Sequence, residues 1–423
     1  MVNSVRVPEI RKKLLFTAAM LALYRLGAYI PAPGIDTGTV NAIAKNFAGS
    51  NVLGFLNLFS GGSLSRFAVF ALGIMPYITA SIILQLLQVV VPSLEKLRKE
   101  GEVGQQKITQ YTRYLTVGLA FFQSIGYVFL FKTFASQTGN KKADIIHGGF
   151  TFVHVFVIVL ALTAGTVLLM WFGELITQRG IGNGISLMIF ASIISRIPHG
   201  VQAWWTNPDQ VFKVMMPIIA MAVIAGVVFI QEGQRRIPVQ YAKRVVGRRM
   251  AGGGSTYLPL RVNMAGVIPV IFAASLMAFP PTIGQLVQKG WAKDFANFLN
   301  PNGTAYVIGE SLLIIVFTYF YTAVTFNPVE QADNLKKYGG FIPGVRPGRP
   351  TAEFLDRILA RLTFPGALYL AAIAALPTVL INQTSANFFF GGTSILIVIG
   401  VALDTMKQLE AQMMMRNYEG FLK

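Results

Sequence analysis

Seven cations, Arg235, Arg236, Lys243, Arg244, Arg248, Arg249 and Arg261, crowd the stretch from Gln231 to Asn263, in which Glu232 is the only acid. Groups of this kind at this density attract and hold acidic surfaces; they do not break bonds. The cations are spaced around β-compatible residues (Ile237 to Ala242) and a Gly252–Gly254 turn, so the stretch reads as a protruding hairpin. It runs without a spacer into an apolar, Gly- and Pro-containing helix, Met264 to Phe272. A cationic finger fixed to a membrane helix suggests a docking surface for something large and acidic. A loop that merely sets topology would account for some of the basic residues but not for the hairpin pattern.

Other chemistry is sparse. His147, His154 and His199 are the only histidines, and none forms a His-x-x-x-His pair. No phosphate-loop signature occurs, so the chain is not expected to hydrolyse nucleotide. Gly180 to Gly184 resembles a phosphate cradle only superficially and reads as a flexible turn between two membrane helices. Gly391-Gly392-Thr393-Ser394 lacks the flanks of a nucleophile elbow. Cysteine is absent, which excludes disulfides, thiolate metal sites and cysteine catalysis. No enzyme, metal or cofactor is expected. Arg25, Glu174, Glu310 and Asp404 are ionisable residues within or beside apolar segments, and snorkelling or a helix-end role is the expected account of them.

The elements that position these residues are membrane helices. The 423 residues are 53% hydrophobic and 13% charged, with a mean hydropathy of +0.56; soluble domains carry about 25% charged residues. Ten apolar segments occur, at 14–32, 68–91, 114–131, 152–172, 183–197, 214–230, 264–285, 305–326, 363–381 and 390–407. Most approach the roughly 20 residues needed to cross the hydrocarbon layer. No cleavable signal peptide is evident, because Ile30 to Gly34 reads as a turn. With ten spans, the N-terminus, the loops after even-numbered spans and the C-terminus share one side. That side holds most of the 36 Lys and Arg, which makes it cytoplasmic.

A short internal echo appears as well. Gly73-Ile74-Met75-Pro76-Tyr77-Ile78 and Gly266-Val267-Ile268-Pro269-Val270-Ile271 share the pattern Gly-x-x-Pro-x-Ile near the start of the second apolar segment of each five-span half. Gly and Pro interrupt a helical ladder where a helix borders a cavity or its neighbours. Matched breaks in two halves suggest an inverted repeat with a pathway at its interface.

Six stretches, residues 61–87, 173–186, 233–244, 255–269, 326–353 and 390–398, closely resemble the SecY family, and the resemblance extends over all ten spans in order. The family supplies the central subunit of the bacterial Sec protein-conducting channel. The resemblance implies an all-α integral membrane fold, with ten transmembrane helices in two pseudo-symmetric halves, 1–200 and 201–423. These would form a clamshell around an hourglass pore, with cytoplasmic basic loops at 231–263 and 327–362. Ile74, Ile78, Ile185, Ile189, Ile271 and Ile397 would form an aliphatic pore ring. Residues about 51–66 would form a plug, with Phe55, Leu56, Leu58, Phe59, Gly61, Gly62 and Leu64. Composition independently allows a re-entrant segment there, too short to span. Gln85, Gln123 and Ser275 are candidate lateral-gate residues, for which ordinary interhelical hydrogen bonding is an equally good account.

The resemblance further implies that Arg346 engages the motor SecA and that Arg248 and Arg249 sit at a loop tip touching ribosome or motor, with Arg235, Arg236, Lys243 and Arg244 on the same docking face. The implied partners are the membrane subunits SecE and SecG, the SecA ATPase or a ribosome, a secretory polypeptide or signal peptide, and membrane lipid. The implied location is a bacterial plasma membrane, with both termini cytoplasmic. The implied activity is passive passage of unfolded polypeptide and lateral release of hydrophobic segments. The alternative from another class is a secondary transporter of a small solute with the same inverted-repeat architecture.

Overall fold

The computed structural model describes the chain apart from residues 1–6, 41–56, 58, 138–145, 147–148, 207–209, 242–243, 247–248, 252–254, 278–289, 291–297, 300–302, 385–391 and 422–423. Each of the ten apolar segments carries a helix. In chain order these are α1 (Pro8–Gly27), α2 (Met75–Val90), α4 (Glu102–Gln137), α5 (Phe152–Arg179), α6 (Gly184–Ile194), α8 (Gln210–Glu232), α9 (Ile268–Met277), α10 (Thr304–Thr325), α12 (Arg349–Thr384) and α13 (Gly392–Phe421). Shorter helices α3 (Pro92–Lys99), α7 (Ile197–Thr206) and α11 (Pro328–Lys337) lie between them. Among the described residues, five stretches are long and apolar enough to cross a membrane: Glu102–Lys132, Phe152–Arg179, Lys213–Glu232, Thr304–Lys337 and Arg349–Leu376. The α2–α3 pair qualifies together but bends by 99°. Pro92 explains the bend, since a residue before proline is pushed out of the helical region, and Val91 has ψ 112°.

Internal contacts divide the chain into two compact units. The first comprises Met1–Thr206, Ala274–Val307 and Val401–Lys423; the second comprises Asn207–Ala273 and Ile308–Gly400. In the first, α4 packs along both α2 and α5. Close backbone approach is built from glycine: a Cβ at Gly165 of α5 would fall 2.2 Å from the Val69 carbonyl, and one at Gly184 of α6 would fall 2.0 Å from the Gly173 carbonyl. Small residues at such crossings let van der Waals packing, the main helix-joining force in lipid, act at short range. The core of this unit gathers Leu64, Phe67, Leu130, Phe131, Ile158 and Leu162, with the Phe67 and Phe131 rings edge-to-face at 4.6 Å.

The second unit adds a small sheet to its helices. Strands β1 (Gln234–Tyr241), β2 (Arg244–Val246), β3 (Arg249–Ala251) and β4 (Ser255–Arg261) form the expected hairpin. Pairing runs from Gln234↔Arg261 to Gln240↔Ser255 and from Arg244↔Ala251 to Val246↔Arg249. Both ladders keep one register, so the chain reverses between Val246 and Arg249. The expected turn at Gly252–Gly254 falls on residues that lie outside those described.

A third strand, β5 (Gly340–Phe341), pairs with the end of β1, giving the order β4-β1-β5. The two basic loops therefore share one sheet. They also share a core, in which Ile237, Val239 and Leu260 of the hairpin meet Phe326, Ile342, Leu355, Ile358 and Leu359. On β1 the alternation buries Ile237 and Val239 and leaves Arg236, Pro238 and Gln240 exposed.

Candidate functional site

The Gly-x-x-Pro-x-Ile echo has the same local geometry in both units. Gly73 (φ +59°) and Gly266 (φ +63°) adopt the left-handed conformation, and a helix starts two residues later, at Met75 and at Ile268. Proline falls in the first helical turn, where no intrahelical partner for its missing N–H is needed. Ile78 and Ile271 then donate their N–H groups to Ile74 and Val267 respectively. The motif thus stands at a helix start in each unit, as its place in the sequence suggests, and interrupts no helical ladder there. The turn before it removes 68–74 and 264–267 from the helical part of their segments.

Of the six candidate ring isoleucines, Ile74, Ile78, Ile189, Ile271 and Ile397 are at most 5% exposed. That rules out an acyl-chain-facing position for these five. Ile185 is half-buried, and its Cγ1 would meet a Cβ at Gly173 of α5 at 3.1 Å. Ile74, Ile78, Ile185 and Ile189 lie in the first unit; Ile271 and Ile397 lie in the second.

The candidate plug is described only from Asn57 onward, with Leu58 omitted; Phe55, Leu56 and Leu58 lie outside the described residues. Its end is firmly seated. Phe59 and Leu64 are buried. The Asn57 side chain accepts from Ser65 N at 3.0 Å, closing the Gly61–Gly62 turn, whose glycines have φ +64° and +89°. Arg25 of α1 donates Nη1 to the Gly61 carbonyl at 2.6 Å. Tyr24 hydrogen-bonds Ser192 of α6 and reaches the Ser60 carbonyl at 3.5 Å. A Cβ at Gly61 would sit 3.1 Å from Tyr24 Oη, 3.2 Å from Arg25 Nη1 and 3.3 Å from Ser192 Cα. Ala32 N and Val69 N add backbone bonds across the Pro31↔Ala68 bridge. Phe67, between them, has φ +46°, an uncommon conformation for a bulky residue, held by burial of its ring.

Arg25 stands in the last turn of α1, the helix-end place expected of it, and there it holds the Gly61 carbonyl. Its role shows only once the chain folds, because its acceptor is a backbone carbonyl 36 residues away. Tyr24, Asn57 and Ser192 escaped sequence reasoning altogether; an aromatic hydroxyl and a serine in apolar helices carry no signal until paired. Glu174 is likewise paired, in a two-pronged bond with Arg113 of α4 at 2.8 and 2.7 Å. The Gly180–Gly184 turn is packed, not loose: Ile181 N donates to Thr17 Oγ1 at 3.2 Å, and a Cβ on Gly182 would meet Thr405 Oγ1 at 3.2 Å. Asn183 caps α6 through Ile185 N and Ser186 N. Glu310 is buried and Asp404 exposed.

Among the lateral-gate candidates, Gln85 donates to Ser81 of its own helix at 3.3 Å and Gln123 is half-buried. Ser275 of α9 is buried, with Oγ 4.0 Å from Met75 Sδ at the start of α2. Of the docking residues, Arg235 and Arg236 are exposed on β1, and Arg346 is exposed in the turn between β5 and α12. All three belong to the one sheet-and-helix platform. Arg244 and Arg249 stand on the paired tip strands, and Lys243 and Arg248 lie outside the described residues. This arrangement offers buried aliphatics, a seated turn and a cationic platform.

Comparison with known proteins gives a consistent result. A family model described as SecY matches residues 68–406. The protein translocase subunit SecY of Mycobacterium bovis is 51% identical over 438 aligned positions, covering 100% of this chain and 99% of that protein. The corresponding subunits of Streptomyces coelicolor and Corynebacterium glutamicum are 50% and 49% identical over 436 and 439 positions, with the same coverage. A solved structure described as a protein conducting channel has a TM-score of 0.65 at 19% identity, covering 96% of each chain. Sec61 in the canine ribosome-channel complex from the endoplasmic reticulum has a TM-score of 0.62 at 18% identity and covers 96% of each chain.

Proposed function

We propose that this chain, which belongs to the SecY family, passes unfolded secretory polypeptide across a bacterial plasma membrane and releases hydrophobic segments sideways into the bilayer. The observation that carries this reading is the full-length similarity to protein translocase subunits. The relatives named are translocase subunits, and the small-solute transporter reading finds no support among them.

In this reading the halves 1–200 and 201–423 enclose the pore, and Ile74, Ile78, Ile185, Ile189, Ile271 and Ile397 form its waist. A collar of aliphatic side chains dewets when empty and deforms around a threaded chain, so it blocks ions without reading sequence. The burial of five of these residues supports the assignment. Residues 51–66 close the resting pore, and the seating of Gly61 by Arg25 and Tyr24 supports that role.

Lateral release follows from partition energies. Apolar residues favour the membrane by about 0.3–0.6 kcal/mol each, so a ten-residue signal core gains roughly 3–6 kcal/mol. Swinging a two-state gate from mostly shut to mostly open takes about 5.5 kcal/mol of differential binding. A strong signal core therefore supplies enough to open a gate near Gln85, Gln123 and Ser275, whereas weaker cores need a docked partner. The cationic platform around Arg235, Arg236, Arg244, Arg249 and Arg346 provides the dock for SecA or a ribosome, on the cytoplasmic side with both termini. SecE and SecG complete the assembly.

Reconstitution of the chain with SecE, SecG, SecA, ATP and a signal-bearing precursor tests the proposal. Protease-protected precursor inside the vesicles is the expected result. Absence of protection, combined with saturable uptake of a small solute, would overturn it.

A further inference from the structure

The hairpin sheet has an open edge. In the order β4-β1-β5, β4 has β1 on one side and, among the described residues, no strand on the other. Val262 donates its N–H to the carbonyl of its register partner Gly233 at 2.9 Å. Hydrogen-bonded pairs alternate along an antiparallel ladder. That bond therefore puts Leu260, Leu258 and Thr256 in bonded pairs with Arg235, Ile237 and Val239. The residues between them, Ser255, Tyr257, Pro259 and Arg261, turn their main-chain groups away from β1. Both prolines obey this parity. Pro259 and Pro238 fall in the non-bonded pairs with Arg236 and Tyr257, where the β1–β4 ladder asks for no N–H.

The free edge faces water. Tyr257 is 61% exposed, and Ser255, Pro259 and Arg261 are exposed as well. Among the described residues, no other backbone group bonds the outward N–H or C=O of these four. An edge proline blunts a sheet against unwanted pairing, but Pro259 withholds one donor only. Ser255, Tyr257 and Arg261 each keep a donor and an acceptor on the same side.

A row of alternate main-chain donors and acceptors is matched by another extended main chain, and such pairing reads no side chains. A folded partner docking through acidic groups would use the arginine side chains and leave this row unmatched. The function proposed above, on which this inference rests, brings an extended chain of varied sequence to the same face. The edge also leads toward the channel: ten residues separate Arg261 from Ile271.

We propose that the outer edge of β4 takes an extended segment of the unfolded cargo polypeptide as an added strand, main chain to main chain through Ser255, Tyr257 and Arg261.

The test reads amide hydrogen exchange at Tyr257 and Arg261 in the full reconstituted assembly. Three states are compared: the assembly alone, the assembly with SecA, and the assembly with SecA, ATP and a precursor stalled by a folded C-terminal domain. Slowing of both amides by about tenfold or more in the third state alone is expected. A second measurement follows release of the stalled precursor from Tyr257→Pro, which lacks the outward donor, and from Tyr257→Ala, which keeps it. Release should be about tenfold faster from Tyr257→Pro, equivalent to about 1.4 kcal/mol, with equal SecA affinity in the two. The exchange measurement uses wild type and stands if Tyr257→Pro fails to fold. Amides already protected in the assembly alone, or unchanged by the stalled precursor, would overturn the free edge as a cargo site, as would equal release from the two variants. Protection by SecA without precursor would give the edge to the motor and overturn the cargo assignment. Protease-protected precursor in the wild-type vesicles keeps two failures apart: where it is present, unchanged exchange removes the edge alone, and where it is absent the proposed function falls too.

Discussion

Gly61→Ala tests whether the seat under the candidate plug holds it shut. At φ +64° an alanine costs about 1–2 kcal/mol, because its Cβ crowds the following carbonyl. The new methyl also meets Tyr24 Oη, Arg25 Nη1 and Ser192 Cα at 3.1–3.3 Å. The two side-chain tips can yield; the backbone carbon of α6 cannot without moving that helix. Together these terms raise the seated state by about 1–3 kcal/mol. An unseated segment relaxes out of both penalties, so the unseated population should rise about 5- to 150-fold. Gly62→Ala is the matched control: φ is +89°, yet nothing lies within 4 Å of its Cβ, so it bears strain alone and should shift the balance less. Resting ion conductance of the reconstituted assembly in a planar bilayer, without precursor, reads this directly. The order expected is Gly61→Ala above Gly62→Ala above wild type. If Gly61→Ala stays as tight as wild type while deletion of residues 57–62 leaks, the seat is irrelevant to closure. If the deletion is also tight, residues 51–66 are not the plug.

Further outcomes follow from the same coordinates. Arg346→Glu should abolish SecA-driven transport with unchanged thermal unfolding, since the turn is held by the Arg346 carbonyl accepting from Thr351 Oγ1 and not by its side chain; normal transport would remove Arg346 from the dock. Replacing Ile78, Ile189 and Ile271 by Asn should raise resting conductance with little loss of thermal stability if these side chains face a pore. In a packed core the same changes would cost several kcal/mol in cavity and desolvation penalties, so the melting temperature separates the two cases. Arg113→Ala strands Glu174, which is 14% exposed against 44% for Arg113. A loss of about 1–3 kcal/mol is expected, between the ranges for exposed and buried pairs, and Arg113→Ala/Glu174→Gln should recover part of it in a double-mutant cycle.

Helices and hairpin were legible in the sequence because each writes a periodic signal of its own. The ten apolar segments each yield a helix, and the cation-bearing β residues from Arg235 to Arg261 pair as strands. What was hidden depends on distant partners. The two residues of β5 are too few to show alternation, and only their pairing with Gln240 and Tyr241 makes them a strand. Arg25 read as an isolated charge because its acceptor is the main chain of Gly61. Glu174 looked lone because Arg113 belongs to another helix. The Gly73 and Gly266 motifs were visible and correctly placed at the head of a helix; what was missed is that glycine and proline there begin the helix and interrupt nothing, since φ near +60° stops the preceding chain and proline fits the first turn.

That start at Gly266 joins the cationic platform to Ile271 over a short, well-held path. Val262, one residue past β4, donates its N–H to the Gly233 carbonyl at 2.9 Å, and Asn263 Nδ2 donates to the Gly266 carbonyl at 3.0 Å. On the other side α12 closes in, where a Cβ on Gly366 would fall 2.7 Å from the Val262 carbonyl. The base of the hairpin is thus clamped between its own strands and α12, eight residues before Ile271 in the case of Asn263. Displacing the platform without moving the helix start would require breaking these bonds. Gly366→Leu should force the clamp apart, because the Val262 carbonyl is backbone and cannot give way. The expected result is normal binding of SecA to the reconstituted assembly, as Arg346 and the hairpin face are untouched, with transport reduced at saturating SecA. Reduced SecA binding with full transport per bound motor would show instead that α12 merely supports the platform and that docking does not reach Ile271 through Asn263.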